Sequence, residues 1–148
     1  MSKRPSTSSR VPEGLAVARA RGRAALADWI SQEVVLPGPI FAARRGVSPQ
    51  ALSASVRRGE LFSVGIRGRR YYVATLLQVE PAAAAAVCLA LTVLGDKEKA
   101  IFWLRPHGAL AAETVAAAIL AGKLDQVLRL AHARTAQTRA AQLSARPA

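Results

Sequence analysis

Acidic residues are scarce in this 148-residue chain, where nine Asp and Glu stand against 21 Lys and Arg and give a formal net charge of +12. So basic a surface excludes affinity for cationic partners and suits a polyanion. With so few carboxylates, a pair for acid/base chemistry would have to be assembled from distant elements. Histidine is limited to His107 and His132, and there is no Cys-x-x-Cys or His-Glu-x-x-His spacing, so neither a metal nor another cofactor is expected, and no enzymatic role. The single cysteine, Cys88, excludes an intramolecular disulfide and fits a reducing, cytoplasmic setting as a small core residue. The longest apolar run, residues 81 to 94, is 14 residues long, short of the roughly 20 that a bilayer requires, so no membrane partner is expected. The N-terminus lacks the apolar segment of a secretory signal; its Arg- and Ser-rich character is weakly like a transit peptide.

What the chain has is alanine, 32 residues of it, within an apolar content of 51%. Alanine favours helices over sheets and leaves a modest core. The charge lies mostly in the first half: residues 1 to 75 hold 13 basic and 4 acidic residues, and residues 76 to 148 hold 8 and 5. Membrane-surface attraction would use the same charges, but no basic helix with a bulky apolar face accompanies them. Four stretches follow: a disordered basic arm at 1–12, an N-terminal helix with a DNA-binding unit at 13–79, an all-α partner-binding unit at 80–136, and a flexible tail at 137–148.

The first helix is expected from Leu15 to about Glu33, where Leu26, Trp29 and Ile30 keep helical spacing, with Leu36-Pro-Gly-Pro39 as its terminator. From Ile40 onward the spacing is that of a helix-turn-helix. Ala42 is small enough for a close helix crossing, Gly46 accepts positive φ in the turn, and Ser48 suits an N-cap. Leu52 and Val56 then face the core, while Gln50, Ser53, Ala54 and Arg57 form the outward, reading face. Two β-favouring runs, residues 61–66 and 69–74, flank Arg67-Gly68 and predict a hairpin, hence a wing. Arg67, Arg69 and Arg70 at the wing and Arg58 after the reading helix are candidate phosphate contacts, with Ser48 at the helix start. Tyr71 and Val73 should point to one face of the strand and Tyr72 and Ala74 to the other, leaving one tyrosine to pack on the reading helix. A solvated edge strand guarded by charge would carry the same arginines.

After residue 80 every pattern is helical. Pro81 opens a helix to Leu94, Gly95-Asp96 caps a second through Ala100, Ile101, Trp103 and Leu104, Glu113 to Ala121 forms a third closed by Gly122, and Leu124, Val127, Leu128 and Ala131 stripe a fourth that frays near Gln137. The expected fold is therefore mainly α: a winged helix-turn-helix with a small β-hairpin wing, followed by a compact four-helix unit.

Residues 100–110, Ala-Ile-Phe-Trp-Leu-Arg-Pro-His-Gly-Ala-Leu, and 119–131, Ile-Leu-Ala-Gly-Lys-Leu-Asp-Gln-Val-Leu-Arg-Leu-Ala, resemble the toxin-binding domain of Xre/MbcA/ParS-like antitoxins. Phe102, Trp103, Pro106, Leu110, Leu120, Gly122, Leu124, Val127 and Ala131 stand at the matching places, over about residues 80 to 132. The chain departs from the family in carrying Ala111-Ala112 where a Gly-Gly pair is usual and Thr114-Val115 in place of Thr-Pro, so the loop between the helices is open to a different shape. The resemblance implies a type II antitoxin that binds a RES-type toxin acting on NAD and represses its own operon. Phe102, Trp103, Arg105, Leu110 and Leu124 are then candidate toxin contacts, the bland alternative for the aromatic pair being a plain core. The expected partners are double-stranded DNA, a cognate toxin and a second copy of the chain, since paired half-sites favour a homodimer. Rival readings are a stand-alone winged regulator and an excisionase-like accessory protein that bends DNA.

Overall fold

The computed structural model describes residues 13–145; the basic arm at 1–12 and the last three residues lie outside the described part. The chain divides into two units between Val34 and Val35. The first contains α1 (Glu13–Ser31). Its end is closed by the Val34 N–H donating to the Trp29 carbonyl at 2.8 Å, with Glu33 at φ 57° in the left-handed position that such closures favour.

The second unit is mainly helical around a three-stranded antiparallel sheet of order β1-β3-β2: β1 (Val35–Pro37), β2 (Val64–Ile66) and β3 (Arg69–Val73). Strand β1 corrects the expectation that this stretch only terminates the first helix. Val35 and Leu36 are β-formers that pair with Val73 and Tyr72, and Pro37, which lacks an N–H, is tolerated because β1 is an edge. Helix α2 (Gly38–Arg45) therefore begins two residues before Ile40. Gly46, at φ 77°, ends α2, and the Ser48 hydroxyl caps α3 (Pro49–Arg57) by accepting from the Ala51 N–H at 3.0 Å. Leu52 is buried, as its spacing predicts, and Val56 is half-buried.

Arg67 and Gly68 both take positive φ, 54° and 79°, which makes the β2–β3 connection the two-residue type I′ turn whose twist matches paired strands. β2 is shorter than the apolar run that announced it, because Leu61 and Phe62 are buried outside the strand. Tyr71, Tyr72 and Val73 of β3 are all buried, so burial does not distinguish the two faces along which these side chains alternate. Tyr72 stacks on Phe41 of α2, ring centroids 5.0 Å apart, so both faces of the central strand are covered.

A 3-10 helix (Ala74–Gln78) leads to four further helices, α4 (Pro81–Ala90), α5 (Asp96–Leu104), α6 (Val115–Leu120) and α7 (Leu124–Ser144). Pro81 opens α4, the Glu98 carboxylate accepts from the Gly95 N–H at 2.9 Å to box the start of α5, and Thr114 caps α6. The fraying expected near Gln137 is absent. The Thr135 hydroxyl donates to the Ala90 carbonyl, prolonging the stripe of Val127 and Ala131, and the Ala-, Arg- and Gln-rich sequence beyond contains no helix breaker before Ser144. The boundary expected between residues 79 and 80 does not separate compact bodies either. Trp103, fully buried on α5, donates its indole N–H to the Thr75 hydroxyl at 2.9 Å, so residues on either side of that boundary share one core.

The loop between α5 and α6 keeps a glycine-like path without glycine. Ala111 and Ala112 sit at φ 57° and 65°, while the Ala112 N–H donates to the His107 carbonyl at 2.8 Å and the His107 N–H to the Glu113 carbonyl at 3.1 Å. An L side chain pays about 1–2 kcal/mol in this region of φ/ψ. Allowing for the entropy that glycine loses on folding, Ala111→Gly and Ala112→Gly are each expected to stabilise the protein by roughly 0.5–1 kcal/mol. Higher urea midpoints at an unchanged slope are the predicted result; lower midpoints would show that the alanine methyls contribute more than the backbone strain costs.

Candidate nucleic-acid interface

Helix α3 presents an exposed polar face. Gln50, Ser53 and Arg57 are exposed and, with Pro49, line one shallow depression of about 380 Å³. Ala54, expected beside them, is half-buried and contributes less. Ser48 is exposed, but its hydroxyl oxygen is engaged in the cap, which makes it a support for the start of α3.

Next to this face runs a larger groove of about 670 Å³, bounded by Pro37, Pro39 and Ile40 on one side, Pro49, Leu52 and Ser53 on another, and Arg69, Arg70 and Tyr72 on the third. Ser53 and Pro49 border both depressions, so α3 separates them. The wall formed by Pro37, Pro39 and Ile40 is not announced by the helical spacing, because it depends on β1, a strand of three residues. The signal that could have found it is the β-branched pair Val34-Val35 ahead of Leu36, just before a proline. Burial pushes the Tyr72 hydroxyl above its ordinary value, against the opposing influence of Ser63 and Arg70.

The four candidate phosphate contacts divide into two kinds. Arg67 and Arg69 are exposed at the hairpin, and no ion pair among the described residues includes either of them or Arg57. Arg58, also exposed, pairs with Glu60 at 3.0 Å; such a surface pair contributes about 0–1 kcal/mol and is easily exchanged for another anion. Arg70 is more firmly engaged. Its guanidinium donates to the Ser63 hydroxyl at 2.8 Å, to the Ser63 carbonyl at 2.9 Å and to Asp96 Oδ2 at 2.9 Å, which leaves it less free than Arg67 and Arg69 although its side chain is 54% exposed.

Comparison with protein-family models, curated proteins and solved structures finds no match for this chain.

The proposed toxin contacts need correction. Phe102, Trp103 and Leu110 are each 1% exposed or less and serve the core, because α5 turns its aromatic side toward the sheet and the 3-10 helix. Phe102 also packs against His107 with the rings tilted by 48°, and the His107 Nε2–H donates to the Phe102 carbonyl at 2.7 Å. Of the five, Arg105 is exposed and Leu124 half-buried. Cys88 is buried and its thiol is pushed up to about 12 by desolvation, so it is held neutral. No described helix is long and apolar enough to cross a membrane.

If Ser48 acts through its cap, Ser48→Ala should cost about 1 kcal/mol and Ser48→Gly only a few tenths, as capping series show. Thermal or urea unfolding of both variants measures this; equal costs would mean that the hydroxyl does something other than cap α3.

Proposed function

We propose that this chain is a DNA-binding regulator in which α2, the Gly46 turn, α3 and the β2–β3 hairpin work as a winged helix-turn-helix. The observation that carries the reading is the exposed row of Gln50, Ser53 and Arg57 on α3, set beside a type I′ hairpin whose Arg67 and Arg69 have no ion-pair partner among the described residues. Gln50 and Arg57 offer hydrogen-bond groups suited to base edges in a major groove, and Arg67 and Arg69 offer charge to the backbone. A dimer on paired half-sites is part of the proposal.

We further propose an antitoxin role, in which the helical region binds a cognate RES-type toxin and the protein represses its own operon. This part rests on the resemblance of residues 80–132. The burial of Phe102, Trp103 and Leu110 gives weight to a second reading, a regulator without a toxin partner, because the residues most prominent in that resemblance are spent on the core. Excisionase-like bending of DNA has no feature of its own in the helical half to favour it.

Two experiments test these readings. In binding series against base-substituted duplexes, Arg57→Ala should change sequence preference, whereas Arg69→Ala should weaken all duplexes alike and reduce the slope of log affinity against log salt by about 0.9. Equal, sequence-independent losses from both would contradict the assignment of α3 as the reading helix. Co-expression with the protein encoded beside it, followed by co-purification and growth assays, separates the partner readings. A stable complex that rescues growth supports the antitoxin, and a harmless neighbour that does not bind supports the stand-alone regulator.

A further inference from the structure

Arg70 lies in the most basic stretch of the hairpin, yet its geometry is that of a fastening. It faces Gly65 across the β2–β3 pair, and a Cβ on Gly65 would come within 3.0 Å of Arg70 Nη1. The missing side chain leaves room for the guanidinium to lie across β2. There it supplies two hydrogen bonds to Ser63, a residue only 2% exposed whose hydroxyl and carbonyl would otherwise lack these donors. The same guanidinium reaches Asp96, the first residue of α5. At its other end α5 is joined to the 3-10 helix that follows β3, through the Trp103–Thr75 hydrogen bond. The chain from Arg70 to Thr75 is thus fastened to α5 at both ends.

We propose that Arg70 and Asp96 form a latch that sets the orientation of the β2–β3 hairpin from helix α5, so that the helical half regulates the wing while Arg70 itself contributes no phosphate contact. The latch is a property of the fold; its regulatory consequence rests on the DNA-binding reading above. A ligand that displaces the start of α5 removes the Asp96 contact and releases the hairpin from α5, leaving the Arg70 guanidinium, still held by Ser63, without its carboxylate and open to another anion. An exposed ion pair alone would be too weak to hold a hairpin. The two bonds to buried Ser63 and the close passage over Gly65 are what give this one a single geometry.

The test uses the full chain and the variants Arg70→Gln, Asp96→Asn and their combination, with hydrogen exchange at the amides of residues 67–69 and binding to a mixed-sequence duplex over a range of salt. Asp96→Asn should speed hairpin exchange by about 1.4- to fivefold, the range that about 0.2–1 kcal/mol for an exposed pair allows. Arg70→Gln should do at least as much, and the double variant should exchange no faster than Arg70→Gln, because both changes break one interaction. Asp96→Asn should also steepen the salt slope by up to about 0.9, as one more cation reaches phosphate, and Arg70→Gln should leave the slope unchanged. Additive effects on exchange, or none from Asp96→Asn, would overturn the latch. A slope reduced by about 0.9 in Arg70→Gln would overturn it too, by making Arg70 an ordinary phosphate contact. The predicted exchange pattern with no duplex binding by any variant would sustain the latch and remove the DNA-binding reading.

Discussion

The burial of Trp103 is the constraint on which the second unit depends. It is the largest of the fully buried side chains, and its one polar atom is satisfied by Thr75 from the segment that follows β3. A net contribution of about 1 kcal/mol is typical of such a hydrogen bond, against about 3–5 kcal/mol for the packing lost when a buried tryptophan is truncated. Packing therefore carries the energy. The hydrogen bond selects which surface α5 presents to the sheet, since a buried indole N–H without an acceptor would be penalised. Once α5 is placed this way, Phe102 and Trp103 belong to the core, and Asp96 is left within reach of Arg70.

The cations of the basic half are consequently not equivalent. Arg45 lies 5.7 Å from the Phe41 ring centroid, in the stack that Phe41 makes with Tyr72, and burial pulls its pKa below the ordinary value. Arg70 satisfies buried Ser63 and bridges to α5. Arg57, Arg67 and Arg69 make no ion pair among the described residues. Counting charge along the chain locates the basic half but cannot separate arginines that fasten from arginines that are available, because that depends on neighbours as distant in sequence as Asp96.

Features governed by local backbone chemistry were readable in the sequence. Gly46 and Ser48 act as their residue types require, Arg67-Gly68 makes the expected turn, and Pro81, Gly95 and Gly122 punctuate the helices. Long-range pairing was not. β1 is three residues long, ends in proline and exists because β3, about 35 residues later, supplies its partner. The two-faced burial of Tyr71 and Tyr72 follows from that third strand and from α2, neither of which alternation along β3 can reveal. Ala111 and Ala112 gave no hint of left-handed backbone, since alanine seldom adopts it; only the resemblance to a family with glycine there marked the position. α7 continued past Gln137 for the simple reason that nothing in its sequence stops it.

A single binding experiment probes whether α3 and its hairpin read DNA: fluorescence anisotropy of the full chain with duplexes from the region upstream of its own coding sequence and with shuffled duplexes, over a series of salt concentrations. Binding by several phosphate contacts predicts a linear fall of log affinity with log salt, at about 0.9 per contact, with the upstream duplex favoured over the shuffled ones by 10³-fold or more. Affinity that ignores salt, or that fails to distinguish the duplexes, would contradict the reading.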